Sequence, residues 1–300
     1  MNVEGADMDF LVQVINGLGI GSIYALVALG YSMVYGIVQL INFAHGDIIM
    51  VGAYVVYIFM VMMGAPIWVA IIGSILFCGF AGVFIERVAY NRLLKQNAPK
   101  ISLLITAIGV SIFLQNLSQL LFSSSAESMP TMFQSAQVTL GSMQISSSTV
   151  INIATSVAMM ICLQLLVNKT KIGKAMRATS EDAGAAKLMG INAQTTIAFT
   201  FGIGSALAAV GAVLYCNTYP QITPYMGNML GLKAFVAAVL GGIGNIPGAM
   251  LGGYILGSAE SVTIANGGSQ ISDAVVFGIL ILVLIVKPSG LLGKHVREKV

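Results

Sequence analysis

Seven stretches of this chain are strongly apolar, roughly 20 residues long and uncharged in their middles, and they constrain the fold more than any other feature. They lie at about 10–30, 47–63, 67–85, 101–122, 149–167, 194–216 and 270–286. A helix of about 20 residues crosses a bilayer core of about 30 Å. Charged residues make up only 8% of the chain, against about 25% in a soluble domain. The sequence therefore predicts an all-α, polytopic transmembrane bundle of about eight spans, forming a single domain over residues 1–300.

The basic residues orient these spans. All but one of the 14 lysines and arginines fall in clusters at 87–100, 169–187 and 287–299, and the exception is Lys233. Short basic loops stay on the cytoplasmic side of a membrane. The Ser-rich loop 123–148 contains Glu127 and no basic residue. We therefore expect this loop and the N-terminus outside, and the C-terminus in the cytoplasm.

The glycine-rich stretch 230–263 is the first candidate for a transport pathway. Segment 194–216 runs outward and 270–286 returns inward, so 230–263 ends on the side where it began. Its middle, "GGIGNIPG", breaks a helix through glycine freedom and the fixed φ of proline. We expect half-helices at about 230–241 and 248–263, because interrupted segments of this kind mark transport pathways. The residues assigned to the pathway here are Gly241, Gly242, Gly244, Asn245 and Pro247.

The segment "INFAHGD" places three polar residues, Asn42, His45 and Asp47, in an apolar stretch. One interpretation is that they line or gate the pathway near its inner end, where Asn42 offers both donors and acceptors. The alternative is that Asp47 caps a helix beginning at Ile48, while His45 sits in a satisfied hydrogen-bond network.

Three further charges, Lys233, Glu260 and Asp273, break the pattern of charged loops. The predicted hairpin puts all three toward the outer mouth: Lys233 begins the first half-helix, Glu260 ends the second and Asp273 begins the last span. One reading has Lys233 extending to the headgroups while the carboxylates face water. The other is a charged cluster at the entrance, where opposite charges offset part of each other's desolvation cost.

Catalytic and ligand-binding motifs are missing from this sequence. It has no HExxH helix and no Walker A loop, and its two histidines, His45 and His295, are far apart. We therefore expect no bound metal or cofactor, and a membrane enzyme is disfavoured. The net charge of +3 is too small to indicate nucleic acid. Since the middles of the seven spans contain no Asp, Glu, Lys, Arg or His, energy from a partner would explain transport.

The basic loop 168–193 predicts a docking helix. Residues Ser180 to Gly190 have helical composition, with Ser180 at the N-cap and acidic residues in the first turn. Its small apolar face has no soluble core to pack against, so we expect it to bind a partner. The alternative is a helix lying flat among the lipid headgroups.

Three segments resemble a known family: "GIVQLINFAHGDIIMVGAY", "RATSEDAGAAKLMGIN" and "VLGGIGNIPGAMLGGYILG". They are similar to the permease subunits of branched-chain amino acid ABC importers, a branch related to the sugar permeases. The similarity covers the chain from about Leu11 to Gly293. In such permeases a coupling helix follows the pattern EAA, three residues, then Gly. Ala185, Ala186 and Gly190 fit it, whereas Gly184 replaces the glutamate and Thr200 replaces a later isoleucine.

The resemblance implies a bacterial inner-membrane importer for leucine, isoleucine or valine. Its partners would be a homologous second permease, two cytoplasmic ATPases that carry ATP and Mg, and an extracytoplasmic binding protein. The residues it assigns to ATPase coupling are Glu181, Asp182, Ala185, Ala186, Leu188, Gly190, Ile191 and Asn192. Related permeases that carry urea, short amides or sugars remain alternatives, as does a self-sufficient channel.

Overall fold

The computed structural model describes residues 3–39, 41–96, 98–130, 132–133, 137–140 and 143–293. The basic residues Lys294, Arg297 and Lys299, which support the predicted cytoplasmic C-terminus, lie outside these ranges. Within them, seven helices are long and apolar enough to cross a membrane. Six contain a whole predicted stretch and the second, Ala44–Met62, contains all of 47–63 but its last residue, so the predicted polytopic helical bundle is confirmed. The helical segments are Phe10–Val38, Ala44–Met62, Ile67–Lys95, Lys100–Phe122, Ser147–Lys169, Ala193–Thr218 and Ser269–Val286.

Helices account for most of the described chain. They are α1 (Val3–Val38), α2 (Ala44–Tyr57), α3 (Ile67–Ile85), α4 (Asn91–Lys95), α5 (Lys100–Phe122), α6 (Ser147–Lys169), α7 (Lys171–Glu181), α8 (Ala183–Leu188), α9 (Ala193–Thr218), α10 (Met226–Gly241), α11 (Ile246–Ala265) and α12 (Ser272–Val286). A π-helical turn, Ile58–Met62, extends α2, another, Glu86–Tyr90, joins α3 to α4, and the 3₁₀ turn Ser269–Ile271 leads into α12. Four short strands complete the fold: β1 (Glu127–Ser128), β2 (Gln137–Leu140), β3 (Met143–Ser146) and β4 (Gln221–Ile222).

The two ends of the bundle differ in chemistry. At one end, called the serine-loop face, β1 pairs antiparallel with β4, and β2 with β3. The Tyr57 hydroxyl donates to Glu127 Oε2 there, at 3.0 Å. The opposite end, called the basic face, contains α4, α7 and α8 with their lysines and arginines. Helices α1, α2, α9, α10 and α11 form the buried centre, while α3, α5, α6 and α12 are largely exposed around it.

Two groups of three helices pack in the same way but run in opposite directions. Helix α1 packs along α11 and α3 packs along α9, while α1 and α9 pack on each other. Helices α2 and α10 meet at their first turns: a Cβ added at Gly46 would collide with the carbonyl of Gly227, and one at Gly227 with the carbonyl of Gly46. The repeated phrase "GIGS" lies in α1 and in α9. The arrangement is that of an inverted repeat, α1–α3 against α9–α11.

The broken segment 230–263 forms the predicted hairpin, with different boundaries. Helices α10 and α11 run antiparallel, and the break covers only residues 242–245. Gly242 and Gly244 adopt positive φ values of 104° and 88°, which glycine permits without strain. Pro247 lies in the first turn of α11 and not in the break, because a helix start needs no N–H from that residue.

Candidate translocation site and docking loop

The break between α10 and α11 is covered by the segment that follows α12. The N–H groups of Leu291 and Leu292 donate to the carbonyls of Leu240 and Gly241, at 2.8 and 2.9 Å. These bonds satisfy carbonyls that a helix end leaves free. Asn245 caps α11 by accepting from the Gly248 N–H at 3.1 Å, and its amide donates to the Leu292 carbonyl. The predicted pathway residues at this break therefore bond to one another and to the C-terminal segment.

Asn42 lies in the link between α1 and α2 and is only 2% exposed. Its Oδ1 accepts a hydrogen bond from the Tyr90 hydroxyl at 2.8 Å. Its Nδ2 has no partner among the described residues. The bond therefore ties this link to the π-helical turn at the end of α3.

We expect Asn42→Ala and Tyr90→Phe to lower the stability of the purified protein by similar amounts. Each change leaves one buried group of the pair without its partner, which costs about 1–3 kcal/mol. The double variant should be little less stable than either single variant, because both remove the same bond. Thermal unfolding in detergent measures this. Additive losses would show that the two side chains act independently.

His45 packs against α1. Its ring meets the Tyr31 ring edge-on, with centroids 4.8 Å apart, and a Cβ at Gly30 would collide with it. The side chain also lies beside the backbone of Val27, but Nε2 makes no hydrogen bond of normal length to any described residue. The structure thus shows a buried, closely packed ring whose Nε2 is unsatisfied among the described residues, so the hydrogen-bond network considered above is at most partial.

Asp47 does not cap a helix. Helix α2 begins at Ala44, three residues before Asp47, and Phe43 occupies the N-cap without a side-chain bond. The capping interpretation is therefore wrong. Asp47 is 1% exposed, and its Oδ1 accepts from Gln115 Nε2 of α5 at 2.9 Å. It joins two helices at depth in the bundle.

The structure brings Lys233, Glu260 and Asp273 together. Lys233 Nζ lies 2.6 Å from Glu260 Oε1 and 2.7 Å from Asp273 Oδ1. Tyr24 donates to the other oxygen of Glu260 at 2.7 Å, and Lys233 Nζ lies 5.9 Å from the centre of the Tyr24 ring. Lys233 and Glu260 are buried, whereas the Asp273 side chain is 44% exposed. The cluster joins α1, α10, α11 and α12, so its members are not separately solvated.

Two of these charges lie deeper along their helices than the sequence suggested. Helix α10 begins at Met226, so Lys233 lies about two turns inside it rather than at its start. Helix α11 continues to Ala265, beyond Glu260. Asp273 does lie at the start of α12. Glu260 lies in the second half of α11 and Asp273 lies at the start of α12, so both are at the ends of their helices away from the break, which agrees with the hairpin topology.

The docking loop contains two helices where one was predicted. Helix α7 runs through Ser180 to Glu181, and the Ser180 hydroxyl donates to the Arg177 carbonyl. Asp182 is the N-cap of α8, accepting from the N–H groups of Gly184 and Ala185 at 2.7 and 3.0 Å. The predicted Ser180 cap is therefore wrong. Asn192 caps α9 instead of belonging to the docking helix, since its side chain accepts from Thr195 N–H.

The end of α8 presents two large apolar side chains to solvent. Leu188 is 90% exposed and Met189 is 82% exposed, whereas Ala186 is buried. Gly190 follows with φ 82°, and Ile191 N–H donates to the Ala186 carbonyl at 3.0 Å. The Gly190 N–H also donates to the Lys187 carbonyl, at 3.0 Å. The two bonds form a Schellman motif, in which glycine supplies the left-handed residue. Gly190 thus fixes how Leu188 and Met189 project; Glu181 and Ala185 are exposed beside them.

One buried charge escaped the sequence analysis. Glu86 follows the apolar stretch 67–85, and the helix continues through it as a π-helical turn. The residue is 1% exposed, and neither oxygen has a hydrogen-bond partner among the described residues. Its nearest cation, Arg87 Nε, is 3.7 Å away and half exposed. The sequence does contain one indication of this buried charge: a glutamate that directly follows an uninterrupted apolar stretch.

Comparison with known proteins gives one consistent family. Residues 13–284 match the family model described as branched-chain amino acid transport system, permease component. The chain is 45% identical to the high-affinity branched-chain amino acid transport system permease protein LivH of Escherichia coli K12, over 97% of this chain and 98% of that protein. It is also 45% identical to BraD of Pseudomonas aeruginosa, over the same shares. A LivH from Methanocaldococcus jannaschii is 29% identical over 91% of this chain and 89% of that protein.

No solved structure matches the chain. The family match instead covers the inverted repeat, the hairpin and the docking loop in one alignment. The seven apolar helices agree with the membrane location that a permease requires. The chain is a multi-pass membrane protein and belongs to the permease-component family of branched-chain amino acid transport systems.

Proposed function

We propose that this chain is one membrane-spanning subunit of an ATP-driven importer of leucine, isoleucine and valine. It would pair with a homologous permease, dock two cytoplasmic ATPases that carry ATP and Mg, and receive the amino acid from an extracytoplasmic binding protein. The chain itself would then be a transport subunit without enzymatic activity. The full-length identity of 45% to permeases named for branched-chain amino acids supports the cargo.

The observation that best supports an ATPase partner is the exposed end of α8. Leu188 and Met189 project from a short, well-capped helix on the basic face. Two large apolar side chains at this exposure favour a protein interface, where such residues act as anchors. A channel working alone has no use for such a projection. The positive-inside rule supports a cytoplasmic location for this face and for the C-terminus, with the N-terminus outside. The similarity to permeases of bacterial transport systems supports the bacterial cytoplasmic membrane.

Related cargoes are less well supported. The autoinducer 2 import permease LsrC of Yersinia enterocolitica is 30% identical over only 41% of this chain and 37% of that protein. A match of that extent leaves most of the chain unaligned. We therefore favour amino acids over sugar-like molecules.

Reconstitution tests the proposed function directly. The chain would be co-expressed with its companion permease and ATPases, purified as a complex and placed in liposomes with the binding protein. We expect uptake of labelled leucine that requires ATP and is competed by isoleucine and valine, but not by ribose or urea. Leucine uptake without ATP would instead support a facilitator. Uptake of ribose or urea alone would assign a different cargo.

A further inference from the structure

Helix α5 has two flanks of opposite character, on either side of the strip that packs against α2. One flank carries Ser111, Gln115 and Gln119, each one helical turn from the next. The other flank is apolar. Together with α2 and α3 it lines a cavity of about 430 Å³, and its members are Val110, Phe113, Leu117 and Leu121. The two flanks lie at the same depth along one helix.

The polar flank faces the beginnings of α2 and α10. Gln115 Nε2 lies 3.2 Å from Ser111 Oγ and donates to Asp47 Oδ1 at 2.9 Å. One turn further along, Gln119 Nε2 donates to the Tyr225 hydroxyl at 2.6 Å. Tyr225 directly precedes α10, whose first turns contact Gly46. The polar groups of three helices therefore meet along one line.

This line lies inside the membrane and not at its edge. Tyr57 bonds Glu127 of the serine-loop face, and Asp47 lies ten residues earlier in the same helix. At 1.5 Å per residue, Asp47 and its partner Gln115 are about 15 Å below that bond. That is about half of a hydrocarbon core of about 30 Å.

The polar line is open on one side. Tyr225 is 54% exposed, and Asn228, three residues later on the same side of α10, is also exposed. Moving a polar side chain such as the amide of Asn228 from water to hydrocarbon without a partner is unfavourable. Irregular backbone such as the residues before α10 does not face lipid either. This side of the molecule therefore faces water or protein.

We propose that Ser111, Gln115, Gln119, Tyr225 and Asn228, called the polar wall, line a water-filled path along which the amino acid crosses the membrane. Asp47, directly behind Gln115, supplies the charge opposite to the substrate's ammonium group. Along the rest of the wall, neutral amides and hydroxyls suit a zwitterion, because they bond its carboxylate and its ammonium without holding either as tightly as a charge would. The proposal rests on the proposed function and adds the residues that the substrate meets.

Cysteine labelling tests the polar wall independently of uptake. Cys162 is exposed and would be replaced by alanine, whereas Cys78 and Cys216 are buried and can remain. Gln119→Cys and Asn228→Cys would be compared with Leu117→Cys and Phe113→Cys on the apolar flank, in the assembled complex in liposomes. The probe is sulfonatoethyl methanethiosulfonate, which is membrane-impermeant and reacts with thiolate in water. We expect the polar-wall cysteines to react at least about tenfold faster, and leucine delivered by the binding protein to slow them. Equal rates on both flanks would overturn the proposal.

Uptake kinetics provide the second measurement. Gln115→Leu removes the amide beside Asp47, and we expect it to raise the KM for leucine uptake at least about tenfold, since it removes a hydrogen-bonding group that meets the charged substrate. Leu117→Ala is the control on the apolar flank, with an unchanged KM. An unchanged KM in Gln115→Leu counts against the polar wall even when the parent complex imports leucine. If the parent complex imports no leucine, the proposed function fails. The labelling pattern still shows whether water reaches the polar wall.

Discussion

Lys233→Met is expected to leave little folded protein in the membrane. The change removes the only cation from the cluster, and Glu260 is then a buried carboxylate held by Tyr24 alone. Breaking a buried pair on one side costs about 3–5 kcal/mol. Asp273 is affected less because its half-exposed side chain can turn to water. Fluorescence-detected size-exclusion chromatography after heating measures the loss, with exposed Lys171→Met as the control for removal of a lysine.

The double variant Lys233→Met with Glu260→Gln is expected to recover most of that stability. A buried ion pair replaced by neutral groups of similar size is often as stable as the original, and the amide oxygen introduced at position 260 can still accept from Tyr24. Exchanging the two charges should rescue less well, because it places a carboxylate at position 233, beside Asp273. A single variant as stable as the parent, or a double variant as unstable as Lys233→Met, would contradict this account. Leucine uptake by the stable double variant then reports whether the charges also serve transport.

The second large effect is expected at the end of α8. Replacing both Leu188 and Met189 with glutamate should abolish co-purification of the ATPase and lower leucine uptake at least about tenfold, since interface anchors are worth about 2 kcal/mol or more each. Both side chains point into solvent, so membrane insertion and stability should be unchanged. Lys187→Gln, an exposed neighbour, is the control. Full retention of the ATPase would remove the docking role and favour a helix lying among headgroups.

Gly190→Leu should have a smaller effect at the same loop. The residue has φ 82°, and a Cβ there would meet no atom within 4 Å. The cost is therefore backbone strain of about 1 kcal/mol rather than a clash. We expect partial loss of coupling between ATP hydrolysis and uptake, measured as uptake per ATP hydrolysed. A loss as large as that of the double glutamate variant would mean that the helix end itself is the contact.

Most of the membrane architecture could be predicted from the sequence because the bilayer alone sets the length and the hydropathy that a membrane-spanning helix needs. The seven spans required only counting of apolar residues, and the α10–α11 hairpin followed from charge placement on either side of it. For Lys233, Glu260 and Asp273 the sequence allows two interpretations, separate solvation or a cluster. The number of membrane crossings brings these charges to one end of the bundle but does not fix the distances between them. Helix boundaries were less accurate because tertiary contacts set them.

The errors have specific physical causes. Ser180 and Asp182 are both good N-cap residues, and only the packing of α7 decides that the chain bends at Asp182. Asp47 precedes an apolar run and so resembles a cap, yet α2 begins earlier, where its first turn meets α10 at Gly46. The partners of Asp47 and Tyr225 come from α5, and no spacing along the chain predicts a contact between distant helices. Glu86 was missed because hydropathy ends a span at the first charge, whereas the helix continues.

The reciprocal contact of Gly46 and Gly227 has a consequence for motion. Helices α1–α3 and α9–α11 are the same arrangement turned upside down, as in transporters whose inverted repeats exchange tilts during transport. In transporters built in this way, rocking of one repeat against the other opens the pathway toward the opposite side of the membrane. Two glycines at the crossing point allow one backbone to roll over the other without moving a side chain out of the way. The contact of Gly46 with Gly227 would then be the pivot of this motion, and the ATPases would need only to set the direction in which the helices tilt.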